Sequence, residues 1–169
     1  KKDLAAYRAK IRKPVTGTYR GFEIISMPPP SSGGVALIEM LNILQNFDMR
    51  KNGRYSPQSV HLMTEAMRRS FLDRARFLGD PDFSTIPVEK LISKEHAKTL
   101  ASGIDPQKAT SSVELGKDIV TKMIPVESDE TTYFSVIDKS GMAVSNTYTL
   151  EGGYGSHVVV KGAGFLLNN

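Results

Sequence analysis

The sequence predicts an α+β protein, because helical patterns dominate its first part and strand patterns dominate its last. Apolar residues recur at helical spacing as far as residue 102, and the alternation typical of paired strands begins at residue 131. Between them, residues 103–129 are rich in Ser, Thr, Lys and Asp and lack periodicity, which indicates a long loop. The 169 residues suffice for one ordinary domain with a real core.

Caps and helix breakers place the first elements. Asp3 is a candidate N-cap for a short helix, Leu4 to Ile11, which ends before Pro14. Residues 18–27 alternate and are rich in β-formers, so they are predicted to form one strand. Three prolines, residues 28–30, end that strand.

A second helix is predicted to begin at Ser31-Ser32-Gly33-Gly34. The apolar residues that share one face of it are Val35, Ile38, Leu41 and Leu44. The two serines are interpreted as plain helix capping, with an anion-binding site at the helix N-terminus as the alternative.

Ser56 and Pro57 predict the start of a third helix, because serine is a preferred N-cap and proline suits the first helical position. Its apolar residues at helical spacing, with Met63 and Met67 as core, are Val60, Met63, Met67, Phe71 and Leu78. A charged cluster is interpreted as a surface salt-bridge face or a contact with absent parts: Arg68, Arg69, Asp73, Arg74 and Arg76. Shorter helices are expected over 89–92 and 94–102.

Composition and charge argue against several function classes. The net charge is +4, and the basic clusters are not interleaved with aromatic residues, so nucleic-acid binding is not expected. The absence of cysteine excludes disulfide and thiolate chemistry, and no apolar run reaches the length of a membrane span. His61, His96 and His157 are too scattered for a metal site, so each is expected to be structural or exposed, and no cofactor is expected.

A β-hairpin is predicted near the end of the chain, from strands over 131–137 and 142–150. Asp138-Lys139-Ser140-Gly141 joins them and suits a type I turn followed by a glycine bulge. Counting outward, the predicted pairs are Asp138 with Met142, Val136 with Val144, Phe134 with Asn146, and Thr131 with Thr149. Because opposed residues share a face of the sheet, the Thr149 hydroxyl is predicted to lie beside Thr131.

Thr131 is the candidate catalytic residue, because it opens a strand directly after the polar run that ends at Glu130. If the peptide bond before it is cut, one residue carries both a hydroxyl nucleophile and a free α-amine that serves as base. The plain alternative is that Thr131 is an ordinary strand residue, since threonine is common in strands.

Three segments together resemble the γ-glutamyltranspeptidases (glutathione hydrolases). The first is Met27 to Gly34 followed by Leu41-Asn42-Ile43-Leu44, and the second is Asp73-Arg74-Ala75 with Leu78 to Phe83. The third joins Thr131-Thr132, Phe134-Ser135-Val136, Asn146 to Leu150 and Leu166 to Asn169. Each motif alone is weak, but their order and number extend the resemblance nearly from end to end.

The resemblance implies an N-terminal-nucleophile hydrolase with an αββα four-layer sandwich, incomplete in this chain. It implies autoproteolysis between Glu130 and Thr131, so that residues 1–130 end the large subunit and residues 131–169 begin the small one. Thr131 would then attack a γ-glutamyl amide and form an acyl-enzyme, which water or an amino-acid amine resolves. Thr149 matches the family threonine that positions the nucleophile.

Three positions depart from the family pattern, one of which is Gly152-Gly153, in place of the small hydroxyl residues often found there. Tyr133 stands where many members have histidine, and Glu151 stands where many have an asparagine that contacts the substrate. Glu151 is the candidate substrate-binding residue, because a carboxylate accepts hydrogen bonds from an α-ammonium. The same charge would repel a substrate carboxylate, which keeps two alternatives open: a β-lactam acylase or a poly-γ-glutamate depolymerase.

The resemblance also sets expectations for partners and location. The expected partners are the γ-glutamyl substrate, a water or amino-acid acceptor, and the remaining parts of both subunits, and the expected location is periplasmic or extracellular. The chain reads as an internal piece of a larger protein, because the family's oxyanion-hole glycines and α-carboxylate-binding arginine have no counterpart in it. The piece alone is therefore expected to be inactive, and a non-catalytic scaffold is the alternative from another class.

Overall fold

The computed structural model describes residues 2–119, 131–150 and 152–168. The chain divides into two compact units, Lys1–Val120 and Thr121–Asn169. In the first unit the elements are α1 (Lys2–Ala6), β1 (Val15–Tyr19), β2 (Phe22–Ser26), α2 (Gly33–Leu44), α3 (Met49–Asn52), α4 (Pro57–Phe77), α5 (Val88–Leu91), α6 (Lys94–Ser102) and α7 (Ser112–Leu115). In the second they are β3 (Thr132–Ile137) and β4 (Ala143–Tyr148).

The N-terminal elements correct two sequence predictions. The first helix spans Lys2–Ala6, so Asp3 lies inside it instead of capping it. The single strand predicted over 18–27 is an antiparallel hairpin of β1 and β2. Arg20 and Gly21 have φ angles of 49° and 88°, which form the two-residue turn whose twist suits paired strands. The alternating pattern predicted strand correctly but concealed this reversal.

Helix α2 lies at the centre of the first unit and contributes to two apolar clusters. Its buried residues Val35 and Ile38 pack with residues of β1 and α5. Its Ile43 packs in the second cluster with Leu62, Ala66, Ala97, Ala101 and Ile104. The helix begins where predicted, and Gly34 is required there because a Cβ at that position would lie 2.1 Å from the Met27 carbonyl oxygen.

Helix α4 begins as predicted, with the Ser56 side chain accepting a hydrogen bond from the Ser59 amide and Pro57 in the first turn. Its core face was predicted wrongly. The apolar stripe of Val60, Met63, Met67 and Phe71 is exposed. The buried face instead carries Ser59, Leu62, Glu65, Ala66, Arg69, Ser70 and Asp73. Periodicity identified the helix, but hydrogen-bonded polar residues occupy its inner side.

Residues that follow α6 are also more ordered than the sequence predicted. Ile104 is buried in the core, Gln58 donates to the Pro106 carbonyl at 2.8 Å, and α7 follows. The two short helices expected over 89–92 and 94–102 are present as α5 and α6. Residues 120–130 lie outside the described part of the chain.

Candidate active site

The hairpin of the second unit has the predicted register. Phe134 pairs with Asn146 and Val136 with Val144, and the outermost recorded pair is Thr132 with Tyr148. The turn is also as predicted, since the Asp138 amide donates to the Met142 carbonyl at 3.0 Å and Gly141 has a φ angle of 86°. The Asp138 side chain stabilises the turn by accepting from the amides of Ser140 and Met142.

Thr131 and Thr149 are the next residues outward on the two strands. They follow the Thr132–Tyr148 pair directly, and both residues are exposed. Continued by one residue on each strand, the same register would oppose them on one face of the hairpin. Both threonines lie at the open end of the hairpin, opposite the tight turn.

The face that carries these two threonines is lined with hydroxyl groups. Alternation along the strands and the recorded register assign to it Thr131, Tyr133, Ser135, Ser145, Thr147 and Thr149. The Tyr133 hydroxyl lies 2.7 Å from the Ser145 hydroxyl and accepts from Ser135 at 3.1 Å. Hydrogen bonds with Ser135 and Ser145 hold the pKa of Tyr133 below its ordinary value. Phe134, Val136 and Val144 share the opposite, apolar face.

Two predicted site residues lie outside the described part of the chain. They are Glu130, at the proposed cleavage point, and Glu151, the candidate substrate contact. Their roles stay predictions, as do those of Thr131 and Thr149.

The last described segment is held against its own unit by backbone contacts. The Ser156 amide donates to the Leu167 carbonyl at 3.0 Å, and Val159 forms an antiparallel bridge with Leu166. Gly155 is required at this contact, because a Cβ there would lie 2.0 Å from the Leu167 carbonyl oxygen. These contacts fix the backbone that leads to Asn168.

In the first unit, one hydrogen bond joins two of the motif segments. Arg74 Nε donates to the Ser32 hydroxyl at 3.0 Å, which connects α4 with the start of α2. The Ser32 side chain does not cap α2, and the Gly33 amide donates to Ser31 at 3.4 Å. The same two segments also line an open groove of about 750 Å³, together with Arg12 and Lys13.

Two members of the charged cluster of α4, Arg69 and Asp73, are buried, which corrects their interpretation as part of a surface face. Arg76, by contrast, is exposed and paired with Asp118. Arg69 and Asp73 are 3% exposed, and Glu65 is 1% exposed. Arg69 donates to the Glu65 carboxylate at 2.5 Å and to the Gly103 carbonyl at 2.6 Å. Thr110 adds a hydroxyl donor to Glu65 at 2.6 Å. The sequence does indicate that these buried charged residues lie together, because positions 65, 69 and 73 are four residues apart and share one helix face.

Ionisation of Glu65 follows from these donors. Burial by itself would raise the pKa of Glu65, but the hydrogen bonds from Thr110, Arg69 and Arg68 outweigh it and lower the pKa to about 2. Glu65 is therefore a buried carboxylate that is fully compensated by its partners.

The described histidines have structural or exposed positions. His61 Nε2 contacts the Asp105 carbonyl oxygen at 2.9 Å, and His157 is exposed. His96 lies with two buried carboxylates, Glu39 and Asp73, and the three ligand-type atoms fall within 4.8 Å of one another. His96 Nε2 and Asp73 Oδ2 are 2.6 Å apart. This is hydrogen-bonding distance, and it is shorter than the roughly 3.3 Å between tetrahedral ligands placed about 2 Å from one zinc ion.

Comparisons with known proteins agree with the motifs. The family model described as gamma-glutamyltranspeptidase matches residues 1–169. A glutathione hydrolase proenzyme of Escherichia coli is 47% identical over 169 residues, covering 100% of this chain and 29% of the relative. The chain thus spans about three tenths of that protein's length.

Two solved structures are similar in fold. The γ-glutamyltranspeptidase of Helicobacter pylori matches with a TM-score of 0.65 and 47% identity, over 67% of this chain and 32% of the other. A cephalosporin acylase from Bacillus halodurans matches with a TM-score of 0.69 and 26% identity, over 99% of this chain and 28% of the other.

The mixed helix-and-strand architecture and these neighbours define the class, which is the N-terminal-nucleophile hydrolase fold, incomplete in this chain. Within that class the curated relative and the full-length match of the family model agree. The chain belongs to the γ-glutamyltranspeptidase family.

Proposed function

We propose that the protein containing this chain hydrolyses or transfers γ-glutamyl groups through an acyl-enzyme on Thr131. The observation that carries the proposal is the hairpin register, whose outermost pair is Thr132–Tyr148 and which, continued by one residue on each strand, would oppose Thr131 and Thr149. Family membership adds the expectation that such a threonine is a nucleophile. The similar Escherichia coli protein is named a proenzyme, which supports a cleavage step before activity.

Processing would begin with the Thr131 hydroxyl. Its oxygen attacks the Glu130 carbonyl carbon, the peptide C–N bond breaks, and an ester forms while the Thr131 nitrogen takes up the proton. Water then hydrolyses the ester, which leaves a carboxylate on Glu130 and a free amino group on Thr131.

Catalysis would reuse the same oxygen. The α-amine of Thr131 accepts the hydroxyl proton as the oxygen attacks the γ-glutamyl carbonyl, and the leaving amine departs with a proton. Water or an amino-acid amine then attacks the resulting ester and restores the threonine. Thr149 would orient the Thr131 hydroxyl, a positioning role in which small displacements lower the rate strongly.

Self-cleavage of the full-length protein tests the nucleophile. Wild-type protein is expected to give two bands on a denaturing gel, and Thr131→Ala is expected to give one. Thr132→Ala is the matched control, because Thr132 is the adjacent threonine on the opposite face, and this variant should still give two bands. Cleavage of Thr131→Ala at the same bond, located by intact mass, would falsify the assignment.

The positioning role of Thr149 needs a separate test. We expect Thr149→Ala to lower kcat by roughly 10² while leaving KM nearly unchanged, since it acts on the nucleophile and not on substrate affinity. Thr147→Ala is the control, because Thr147 lies on the same face but pairs with Tyr133. Equal losses in the two variants would contradict a specific role for Thr149.

A related acylase activity is the second candidate. The cephalosporin acylase matches over 99% of this chain, and Glu151 replaces a residue that contacts substrate in many family members. Release of aniline from a γ-glutamyl anilide, compared with hydrolysis of a glutaryl amide by the same full-length protein, separates the two. Faster glutaryl release would favour the acylase, and Glu151→Asn should then shift the preference toward the γ-glutamyl substrate.

Partners of this chain are proposed to be the remaining parts of both subunits. An isolated two-stranded hairpin is marginal in water, and the apolar side of this one needs cover to be stable. We therefore expect no turnover from the 169-residue chain by itself. Detectable γ-glutamyl release from it would show that the missing parts are not essential.

A periplasmic or extracellular location is proposed from family membership. No helix among the described residues is long and apolar enough to cross a bilayer. Cell fractionation with an antibody to the protein tests the proposal, and recovery in the cytoplasm alone would contradict it.

A further inference from the structure

Glu39 is a buried acid whose surroundings provide too few donors. It lies on α2 and is 1% exposed. The hydroxyl of Ser70, a residue of α4, donates to Glu39 Oε2 at 3.0 Å. Among the described residues, its Oε1 has no hydrogen-bond partner. A buried carboxylate in that state would be costly, because charge is stabilised inside a protein only by donors or an opposite charge.

The nearest titratable groups do not supply the hydrogen bond that Glu39 Oε1 lacks. His96 Nε2 is 3.6 Å from Glu39 Oε1, which exceeds hydrogen-bonding distance, and is instead bound to Asp73 Oδ2 at 2.6 Å. Asp73 itself is buried and adds a second acid to the same site. Two carboxylates that share one histidine would repel each other in this low-dielectric position.

We propose that Glu39 is a neutral carboxylic acid in the folded protein and donates its proton to Asp73, so that a structural proton joins α2 to α4. The proton gives Glu39 Oε1 the partner it lacks. It also removes one of the two negative charges and leaves Asp73 as the acceptor from both Glu39 and His96. Burial first, and then the hydrogen bond and charge of Asp73, raise the pKa of Glu39 to about 9 against the lowering effect of Ser70.

The groups that face this site on each neighbouring helix are consistent with the assignment. Helix α6 contributes His96, and α4 contributes Ser70, Asp73 and, 3.6 Å from Asp73, Arg76. Arg76 also donates to the Asp118 carboxylate, so its positive charge is partly compensated there. β1 and α5 contribute Val15 and Leu91, which pack with Val35 and Ile38 of α2 in an apolar cluster that carries no charge.

The proton also connects two motif segments. Asp73 is followed directly by Arg74, whose side chain donates to Ser32 at the start of α2. Loss of the proton would make Glu39 and Asp73 repel each other. Asp73 is adjacent to Arg74 on α4, and Glu39 lies about two helical turns after Ser32 on α2. We therefore expect alkaline conditions to weaken the packing of α2 on α4.

The sign of the pH effect follows from proton binding. Between about 4.5, the ordinary pKa of Glu39, and about 9, the folded protein holds a proton that the unfolded chain has lost. Stability contributed by this site therefore falls as pH rises through that interval, by up to about tenfold in the unfolding equilibrium constant per pH unit. Glu39→Gln should remove this component, because an amide donates to Asp73 and accepts from Ser70 without titrating.

Infrared spectroscopy of the full-length protein tests the protonation state directly. At pH 7 the difference spectrum, wild type minus Glu39→Gln, should contain one protonated carboxyl C=O band that disappears as the pH approaches 10. Glu65→Gln is the matched control, since Glu65 is equally buried and should contribute no such band. Absence of the band at pH 7 would overturn the proposal.

Urea unfolding between pH 6 and pH 9.5 provides the second measurement. The stability of Glu39→Gln relative to wild type should rise with pH, and the stability of Glu65→Gln relative to wild type should not. Parallel curves for Glu39→Gln and wild type would refute the structural proton. Stabilisation of wild type by added zinc, abolished in Glu39→Gln, would also refute it, because a metal ion would then take the place of the proton.

Discussion

Glu65 and Glu39 are buried to the same extent, yet the structure surrounds them in opposite ways. Each is 1% exposed. Glu65 receives hydrogen bonds from Arg68, Arg69 and Thr110, so its negative charge is compensated. Glu39 receives one from Ser70 and lies beside another acid. Burial alone therefore does not decide whether a carboxyl group ionises, because the number and charge of its donors do.

The largest expected effect is removal of the Arg69 charge. Arg69→Met leaves Glu65 buried with one fewer cation and should destabilise the protein by about 3–5 kcal/mol, as is typical when one partner of a buried ion pair is lost. Denaturant unfolding of the full-length protein measures this. A loss below about 1 kcal/mol would show that Arg68 and Thr110 are enough to compensate the Glu65 charge. The proposed difference between Glu65 and Glu39 would then not depend on Arg69.

Acid titration is the next largest test. The pKa of Glu65 is lowered to about 2, so the stability it contributes is present above its ordinary value of 4.5 and is lost as pH falls from 4.5 toward 2. A shift of that size corresponds to at most about 3 kcal/mol. Unfolding curves at pH 5, 3.5 and 2.5 should show the loss in wild type and a smaller loss in Glu65→Gln. Equal losses would indicate that other acids dominate.

The two hydroxyl donors provide a matched pair of smaller changes. Thr110→Val removes a bond to a charged carboxylate and should cost about 1.5–3 kcal/mol. Ser70→Ala removes a bond to Glu39, which is proposed to be neutral, and should cost about 0.5–1.5 kcal/mol. Both are measured by urea unfolding at pH 7. A larger cost for Ser70→Ala than for Thr110→Val would argue that Glu39 carries the charge.

The smallest effect is expected at Arg68. Its side chain is 27% exposed, although it contacts the same carboxylate as Arg69 at 2.9 Å. Arg68→Met should change stability by about 0–1 kcal/mol, because solvent reaches the Arg68 guanidinium and screens part of its interaction with Glu65. Comparison with Arg69→Met then separates the effect of burial from the effect of distance. A loss as large as that of Arg69→Met would contradict this separation.

The hairpin and the helical unit differ in how well local sequence predicts them. The pairs of β3 and β4 follow from the turn at Asp138 and Gly141, since loop length and alternation set the register locally. The turn at Arg20 and Gly21 was missed because arginine rarely adopts a positive φ angle, so one strand was predicted where two exist.

Helix α4 shows the limit of periodicity. Its N-cap and first turn were predicted, but its apolar stripe, including Met63 and Met67, lies on the exposed side. The inner side is polar because Arg69, Glu65 and Asp73 find partners on other segments, such as Gly103, Thr110 and His96. Those partners are 23 to 45 residues away along the chain, so no local pattern indicates them.

By itself the sequence determined the family, the N-cap of α4 and the register of the β3–β4 hairpin, because these depend on short-range rules and ordered motifs. Tertiary structure alone decided which charged residues are buried and what compensates them. Protonation of Glu39 and ionisation of Glu65 depend on donors brought together by folding, and a carboxyl group responds to its three-dimensional surroundings and not to its neighbours in sequence.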